Sequence, residues 1–479
     1  MVNIRRLDLR ACAVVSLLVL WTSLTFSIAL TEISFVCALV FWIVWHIQLK
    51  GTGTFFEKKQ GSCACETGWV FWAPLAIFFL FVVASYFASE YPKQSLRGLF
   101  KIAKPLLAFW MAASLFREPR SREKFDLVFL ATFLLVIVDC SIQYAFGKDL
   151  LRGFAAEHAS SGIRLIGSFG NFAKMATYLV LVIPVFILRF WSDFTRTGRR
   201  RVSFYSLALA LAGLTLLYLT RCRGPVVALV LVLSLAAVYK RWFKTIGIVL
   251  LIGLALLAVA PRNILIHENA QGKDQSAGER QVLWRRALDV IVAKPLLGTG
   301  INTYDKAHAK YDTLRQRKYI AISDGDNQIR QNPDGSVSFV GPRDVWTSDV
   351  RQERIRIAGK DYFIHKDSLG KYFIWNDFVA QGYYAHNGYL QLAAEIGLPG
   401  IFSLLLFFFI FFRRAYGRLK TVRNSPEEYE QLGIMAGLLT FLLYAAVDNN
   451  LQSPPSLMFF WFSAGILMAR QNPGSLRDA

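Results

Sequence analysis

The chain has 479 residues, 54% of them hydrophobic, and 54 Lys and Arg against 33 Asp and Glu give a formal net charge of +21. Soluble domains are about 45–50% apolar, and here the apolar residues run in long blocks, which excludes a soluble globular fold. Six cysteines in this length exclude a disulfide scaffold, and a positive charge in a membrane protein is read first against topology, not nucleic acid.

Crossing about 30 Å of hydrocarbon takes roughly 20 apolar residues. Runs of this kind cover about 11–30, 33–49, 69–88, 98–116, 125–146, 169–188, 203–220, 225–239, 243–261, 387–412, 432–448 and 455–469. Twelve spans follow, all helical, because an unclosed sheet leaves backbone groups unpaired in lipid. The fold class is an all-α polytopic membrane protein, and the first run reads as a retained anchor because it lacks a small-residue cleavage site. Lys and Arg number 25 in the termini and loops of one side and 7 in the short loops of the other. The basic side is cytoplasmic, which puts both termini there. The chain then divides into a membrane domain of nine spans (residues 1–261), an external loop domain (residues 262–385), and a second membrane domain of three spans (residues 386–479).

Candidate functional residues follow in chain order. Arg97, Lys101 and Lys104 are spaced i, i+4, i+7 at the external start of the fourth span and share a helix face; Lys174 lies near the external start of the sixth. Snorkelling to the interface is the plain reading of all four, and contact with a lipid-linked phosphate is the functional one. Arg221-Cys222-Arg223-Gly224-Pro225 forms the shortest external turn, where the charge rule disfavours arginine. Gly224 and Pro225 fix that turn, and a fixed guanidinium suits bidentate phosphate binding.

The external segment balances 19 Lys/Arg with 15 Asp/Glu. Apolar spacing predicts a helix over 278–296, with Arg280 in its first turn where backbone amides favour anions, and a second helix over 300–319. Between about 335 and 375 the pattern turns to short β-type runs, Val337–Val340, Ile355–Ile357, Tyr362–His365 and Tyr372–Trp375, and a small antiparallel insert is expected. Ala385-His386-Asn387-Gly388-Tyr389-Leu390-Gln391 then joins this hydrophilic segment to a very apolar span. Polar groups carried to that depth face a cavity or do chemistry, and an imidazole is a competent general base. The other histidines (46, 158, 267, 308 and 365) show no metal-ligand spacing.

Ala277-Gly278-Glu279-Arg280-Gln281-Val282-Leu283-Trp284 with Lys294-Pro295-Leu296-Leu297-Gly298-Thr299-Gly300, the Arg223-Gly224 turn, and Ala385–Gln391 with Glu395-Ile396-Gly397-Leu398-Pro399-Gly400 together resemble the O-antigen ligase family. The motifs cover about 220–400; the N-terminal half agrees in span number alone. The resemblance implies a GT-C-like, metal-independent inverting glycosyltransferase of the bacterial inner membrane, with no cofactor and its active site in the periplasm. It would move a glycan from undecaprenyl diphosphate to a hydroxyl of lipid A–core, with membrane lipids but no nucleic acid as further partners. On the matched positions His386 would be the general base, Arg223 and Arg280 would hold the diphosphate with Arg221 beside them, and Asn387, Tyr389 and Gln391 would support the site. Glu395 reads as a structural partner. A repeat-unit polymerase, a protein O-oligosaccharyltransferase and a lipid-linked glycan transporter are the alternatives.

Overall fold

The computed structural model describes residues 8–51, 63–159, 162–194, 200–242, 275–311 and 384–471, together with seven short strands between 320 and 376. Helices fill eleven of the twelve apolar runs, as α1 (Leu9–Ser23), α2 (Ile28–Gly51), α3 (Cys63–Phe87), α4 (Pro92–Leu115), α5 (Pro119–Phe146), α6 (Phe172–Ser192), α7 (Arg200–Leu219), α8 (Arg223–Tyr239), α11 (Gly388–Thr421), α12 (Pro426–Tyr444) and α13 (Pro454–Gln471). The run 243–261 lies outside the described residues. Among the described residues six helices, α2 to α6 and α11, are long and apolar enough to cross a membrane; α1, α7 and α8 are apolar but shorter. The first run was expected to continue to residue 30. Instead α1 stops at Ser23, and the Ser27 hydroxyl accepts the Leu30 amide at 3.2 Å to start α2.

Side-chain caps set several of these boundaries. Asp8 accepts the Ala11 amide at 3.1 Å, Asn171 accepts Ala173 and Lys174, and Ser425 accepts Glu428 at 3.2 Å. Proline opens α4, α5 and α12, where its missing N–H is no loss. Lipid tails give helices no hydrophobic reason to associate, so close backbone approach supplies the contact. A Cβ on Gly437 would lie 2.6 Å from the Leu181 carbonyl, and one on Gly433 2.9 Å from Val185 Cα, which seats α12 directly on α6. Trp21 is fully buried at the centre, ringed by Phe125, Phe129, Tyr178, Phe459 and Phe462.

Outside the helices, a hairpin of β1 (Glu157–Ala159) and β2 (Gly162–Arg164) stands where the sequence showed only a short loop. Asp139 and Gln143 of α5 anchor it: Asp139 accepts Leu150 and Ser168 amides at 3.0 and 2.9 Å, and Gln143 accepts Ile166 and Gly167 at 3.0 and 2.9 Å. Helix α9 (Gln275–Ala293) begins before the expected position, so Arg280 lies in its second turn, beyond the free amides of the first. Helix α10 (Tyr304–Tyr311) covers only the middle of the expected 300–319, and 312–319 lie outside the described residues. Beyond it β3 (Ile320–Ala321), β7 (Arg354–Ile357), β8 (Lys360–Lys366) and β9 (Tyr372–Asn376) form an antiparallel sheet in the order β3-β9-β8-β7, and β4 (Gln328–Gln331), β5 (Val337–Val340) and β6 (Val345–Ser348) form a three-stranded meander.

The feature that positions the site is a break in α11. At Gly397 the backbone turns to φ +80, ψ 169, a conformation open to glycine alone. The freed carbonyls and amides are taken up by 295–300. Leu398 N donates to Pro295 O at 2.8 Å, Thr299 N to Ala394 O at 3.0 Å and Gly300 N to Glu395 O at 2.9 Å. Two segments expected to be separate motifs are one backbone-paired unit. Ala287, Val290, Ile301 and Tyr304 thereby join the same buried core as the membrane helices.

Candidate active site

His386 sits two residues before α11, with its side chain 48% exposed and its backbone in the left-handed region at φ +48. That conformation costs a non-glycine residue about 1–3 kcal/mol and persists where the surroundings impose it. Here they do. Asn387 caps α11 by accepting the Tyr389 and Leu390 amides at 3.0 Å, and Gly388 N donates to Ala445 O at 2.8 Å and Asp448 O at 3.0 Å. Gln391 accepts the Ala385 amide at 3.2 Å, and Tyr389 donates its hydroxyl to Leu442 O at 2.8 Å. Asn387, Tyr389 and Gln391 therefore form the frame around the imidazole.

Behind the ring lies Asp448, in the turn after α12, with Oδ1 3.7 Å from His386 Nδ1. Burial raises this carboxyl, but the neighbouring His386 imidazole and hydrogen bonds from Tyr444 and the Asn449 amide outweigh burial and hold it below the usual carboxylate range. The Tyr444 hydroxyl donates to Oδ2 and the Asn449 amide to Oδ1 at 2.7 Å. An ionised carboxylate beside one imidazole nitrogen can orient the ring, and the other nitrogen, Nε2, is then chemically able to accept a proton.

The arginine turn abuts the same place. A Cβ on Gly224 would lie 3.0 Å from Val447 and 3.2 Å from Tyr444, so the start of α8 rests on the turn that holds Asp448. Burial first, and the Asp448 charge next, push the Cys222 thiol up to about 11. Arg223 opens α8 beside it. Helix α9 is tied to His386 from the other side, since Trp284 Nε1 donates to the His386 carbonyl at 3.4 Å, and Arg280 lies one turn before Trp284 on that helix.

The histidine junction, the arginine turn and the Arg280 helix thus converge. Residues 207–331, which hold most of α7 together with α8, α9 and α10, match the family model for O-antigen ligase. The match supports membership of the O-antigen ligase superfamily. Both Arg223 and Arg280 fall inside it, and His386 lies beyond its end. Such membership implies a ligase- or polymerase-type glycosyltransferase acting on lipid-linked glycans. No curated protein matches the chain.

The remaining candidates disperse. Arg97 is exposed on α4, Lys104 pairs with Glu32 at 2.5 Å, and Lys101 turns inward to donate to Asn302 Oδ1 at 3.0 Å and Gln452 Oε1 at 3.4 Å. Shared helix spacing does not give them a common partner, because two of the three are engaged by different segments of the chain. Lys174 is half-buried in the first turn of α6, in the field of Arg152. Arg221 stacks its guanidinium over Tyr218 at 4.7 Å, toward the β1–β2 hairpin. Glu395 is fully buried and accepts Asn302 N at 2.7 Å, Gln391 Nε2 at 3.2 Å and Gln452 Nε2 at 3.2 Å, a structural knot under the site. The residue beside His386 that the sequence did not single out is Asp448, for which Asp448-Asn449-Asn450 closing an apolar run was the available signal.

Proposed function

We propose that this chain is an O-antigen ligase, a GT-C-like inverting glycosyltransferase of the bacterial inner membrane that needs no metal ion. It moves a glycan from undecaprenyl diphosphate to a sugar hydroxyl of lipid A–core on the periplasmic face, with both termini in the cytoplasm. The observation that carries this reading is the His386–Asp448 pair, half open to solvent at the start of α11 and flanked by the arginine turn.

In this mechanism the acceptor hydroxyl donates its proton to His386 Nε2 as its oxygen attacks the anomeric carbon. The bond from that carbon to the diphosphate oxygen breaks, and undecaprenyl diphosphate leaves with the electron pair. A single displacement inverts the anomeric configuration. Arg223 and Arg280 oppose the charge that grows on the leaving group, where preorganised donors are most effective. Asp448 keeps the imidazole in the required tautomer and offsets the charge it acquires.

The test supplies purified protein with synthetic undecaprenyl-diphosphate glycan and lipid A–core in the presence of EDTA. Transfer to lipid A–core is expected, and His386→Ala should lower turnover by about 10²–10⁴-fold while donor binding survives. Elongation on the carrier alone would make the chain a polymerase, and dependence on added metal would sink the base-only mechanism.

A further inference from the structure

We infer that Arg164 and Arg221 form a second oxyanion subsite, beside the diphosphate-binding arginines, that takes one phosphate or carboxylate group of the lipid-linked glycan. The inference rests on the ligase reading for the identity of its ligand. Its geometry does not depend on that reading. Leu165 N donates to Leu219 O at 3.0 Å, which locks the end of β2 against the end of α7, two residues before Arg221. A Cβ on Gly162 would lie 3.7 Å from Arg221 Nη2, so the Arg221 guanidinium stands against β2 two residues from Arg164.

Both side chains are held in place by aromatic rings. Arg221 lies over Tyr218 at 4.7 Å with its backbone at φ +56, and Arg164 over Phe172 at 4.2 Å. Three of their donor nitrogens are nevertheless unpaired. Arg221 Nε and Nη1 and Arg164 Nε are shut off from solvent and meet no hydrogen-bond acceptor among the described residues. Buried donors in that state call for a missing partner. The one carboxylate paired with them among the described residues, Glu157, is 3.8 Å from Arg164 and 42% exposed, so the two guanidiniums keep an excess positive charge. Arg221 lies two residues before Arg223 in the turn that abuts Tyr444 and Val447, which puts the subsite next to the turn that holds Asp448. A rigid, desolvated arginine pair is matched to a planar or tetrahedral oxyanion.

The test is equilibrium binding, without acceptor, of two fluorescent undecaprenyl-diphosphate glycans to the detergent-solubilised full chain. One glycan is neutral and the other carries a hexuronic acid. Arg164→Gln and Arg221→Gln are each expected to raise the donor Kd about tenfold, the loss of one charge-assisted contact. A rise confined to the acidic donor assigns the bound group to the glycan carboxylate, and an equal rise with both assigns it to the carrier diphosphate. Unchanged Kd for both donors in both variants overturns the inference. If either Gln variant melts early, the Lys variant, which keeps the charge but loses the planar fork, is read by the same criteria. Absence of transfer to lipid A–core by the unaltered chain would instead count against the ligase reading and leave these binding outcomes readable.

Discussion

The Glu395 carboxylate accepts the backbone amide of Asn302 at 2.7 Å across 93 residues of sequence. This contact, with the three backbone bonds between 295–300 and α11, holds the arm that carries Arg280 against the helix that carries His386. Distance between a base and its charge-stabilising groups decides whether they act on one substrate, because small misplacements cost large factors in rate.

Replacing Glu395 by Ala strands the Asn302 amide and the Gln391 and Gln452 side-chain amides in a buried place. At about 1–3 kcal/mol for each stranded donor, the variant is expected to melt several degrees below the parent in the same detergent. Glu395→Gln keeps an acceptor oxygen and should lose less. Equal melting temperatures for the Ala variant and the parent would show that the knot does not hold the arm.

The break at Gly397 leaves no room for a side chain, since a Cβ there would lie 2.0 Å from the Leu296 carbonyl oxygen. Gly397→Ala carries that clash and a backbone strain of about 1–3 kcal/mol, and is expected to destabilise the protein and expose 295–311 to limited proteolysis. Gly417→Ala, in the same helix with open space around it, is the control and should be neutral or stabilising by up to about 1 kcal/mol.

Asp448→Asn keeps the shape of the pair but removes the charge that orients and balances His386. Turnover in the transfer assay is expected to fall on the order of 10²-fold or more, with little change in donor binding. The native carboxyl is held below its ordinary value, so its contribution to stability is present above the unfolded carboxylate pKa and lost as pH falls through the folded one. Melting temperature should therefore be level in this respect from neutral pH down to about pH 4 and drop below it, and the drop should shrink in the Asn variant.

Cys222, whose thiol is pushed up to about 11, offers a probe of the same corner. In a version where it is the sole cysteine, alkylation at pH 8 should run roughly two orders of magnitude slower than at an exposed cysteine, because the thiolate is the reactive form. Adding Asp448→Asn should speed it by removing the neighbouring negative charge. An unchanged rate would place the carboxylate out of reach of the thiol.

The sequence by itself determined the helical membrane architecture, because a span is a local matter of apolar length, and eleven helices lie on the runs so identified. It also nominated His386, Arg223 and Arg280 as candidates, since a polar group at a membrane edge stands out against its own neighbours. Tertiary structure alone decided the partnerships. Asp448 lies 62 positions from His386 with no spacing to announce it, and the two meet because Gly388 bonds the turn after α12. Gly397-Leu398-Pro399-Gly400 marks a weak point in the apolar run 387–412, but only the backbone of 295–300, which occupies the place of a Cβ on Gly397, decides what pairs with the break. The basic spacing of Arg97, Lys101 and Lys104 placed them on one helix but not their partners, because Glu32, Asn302 and Gln452 come from distant segments of the chain. Local chemistry proposes candidates, and the packing of distant segments determines which of them share a substrate.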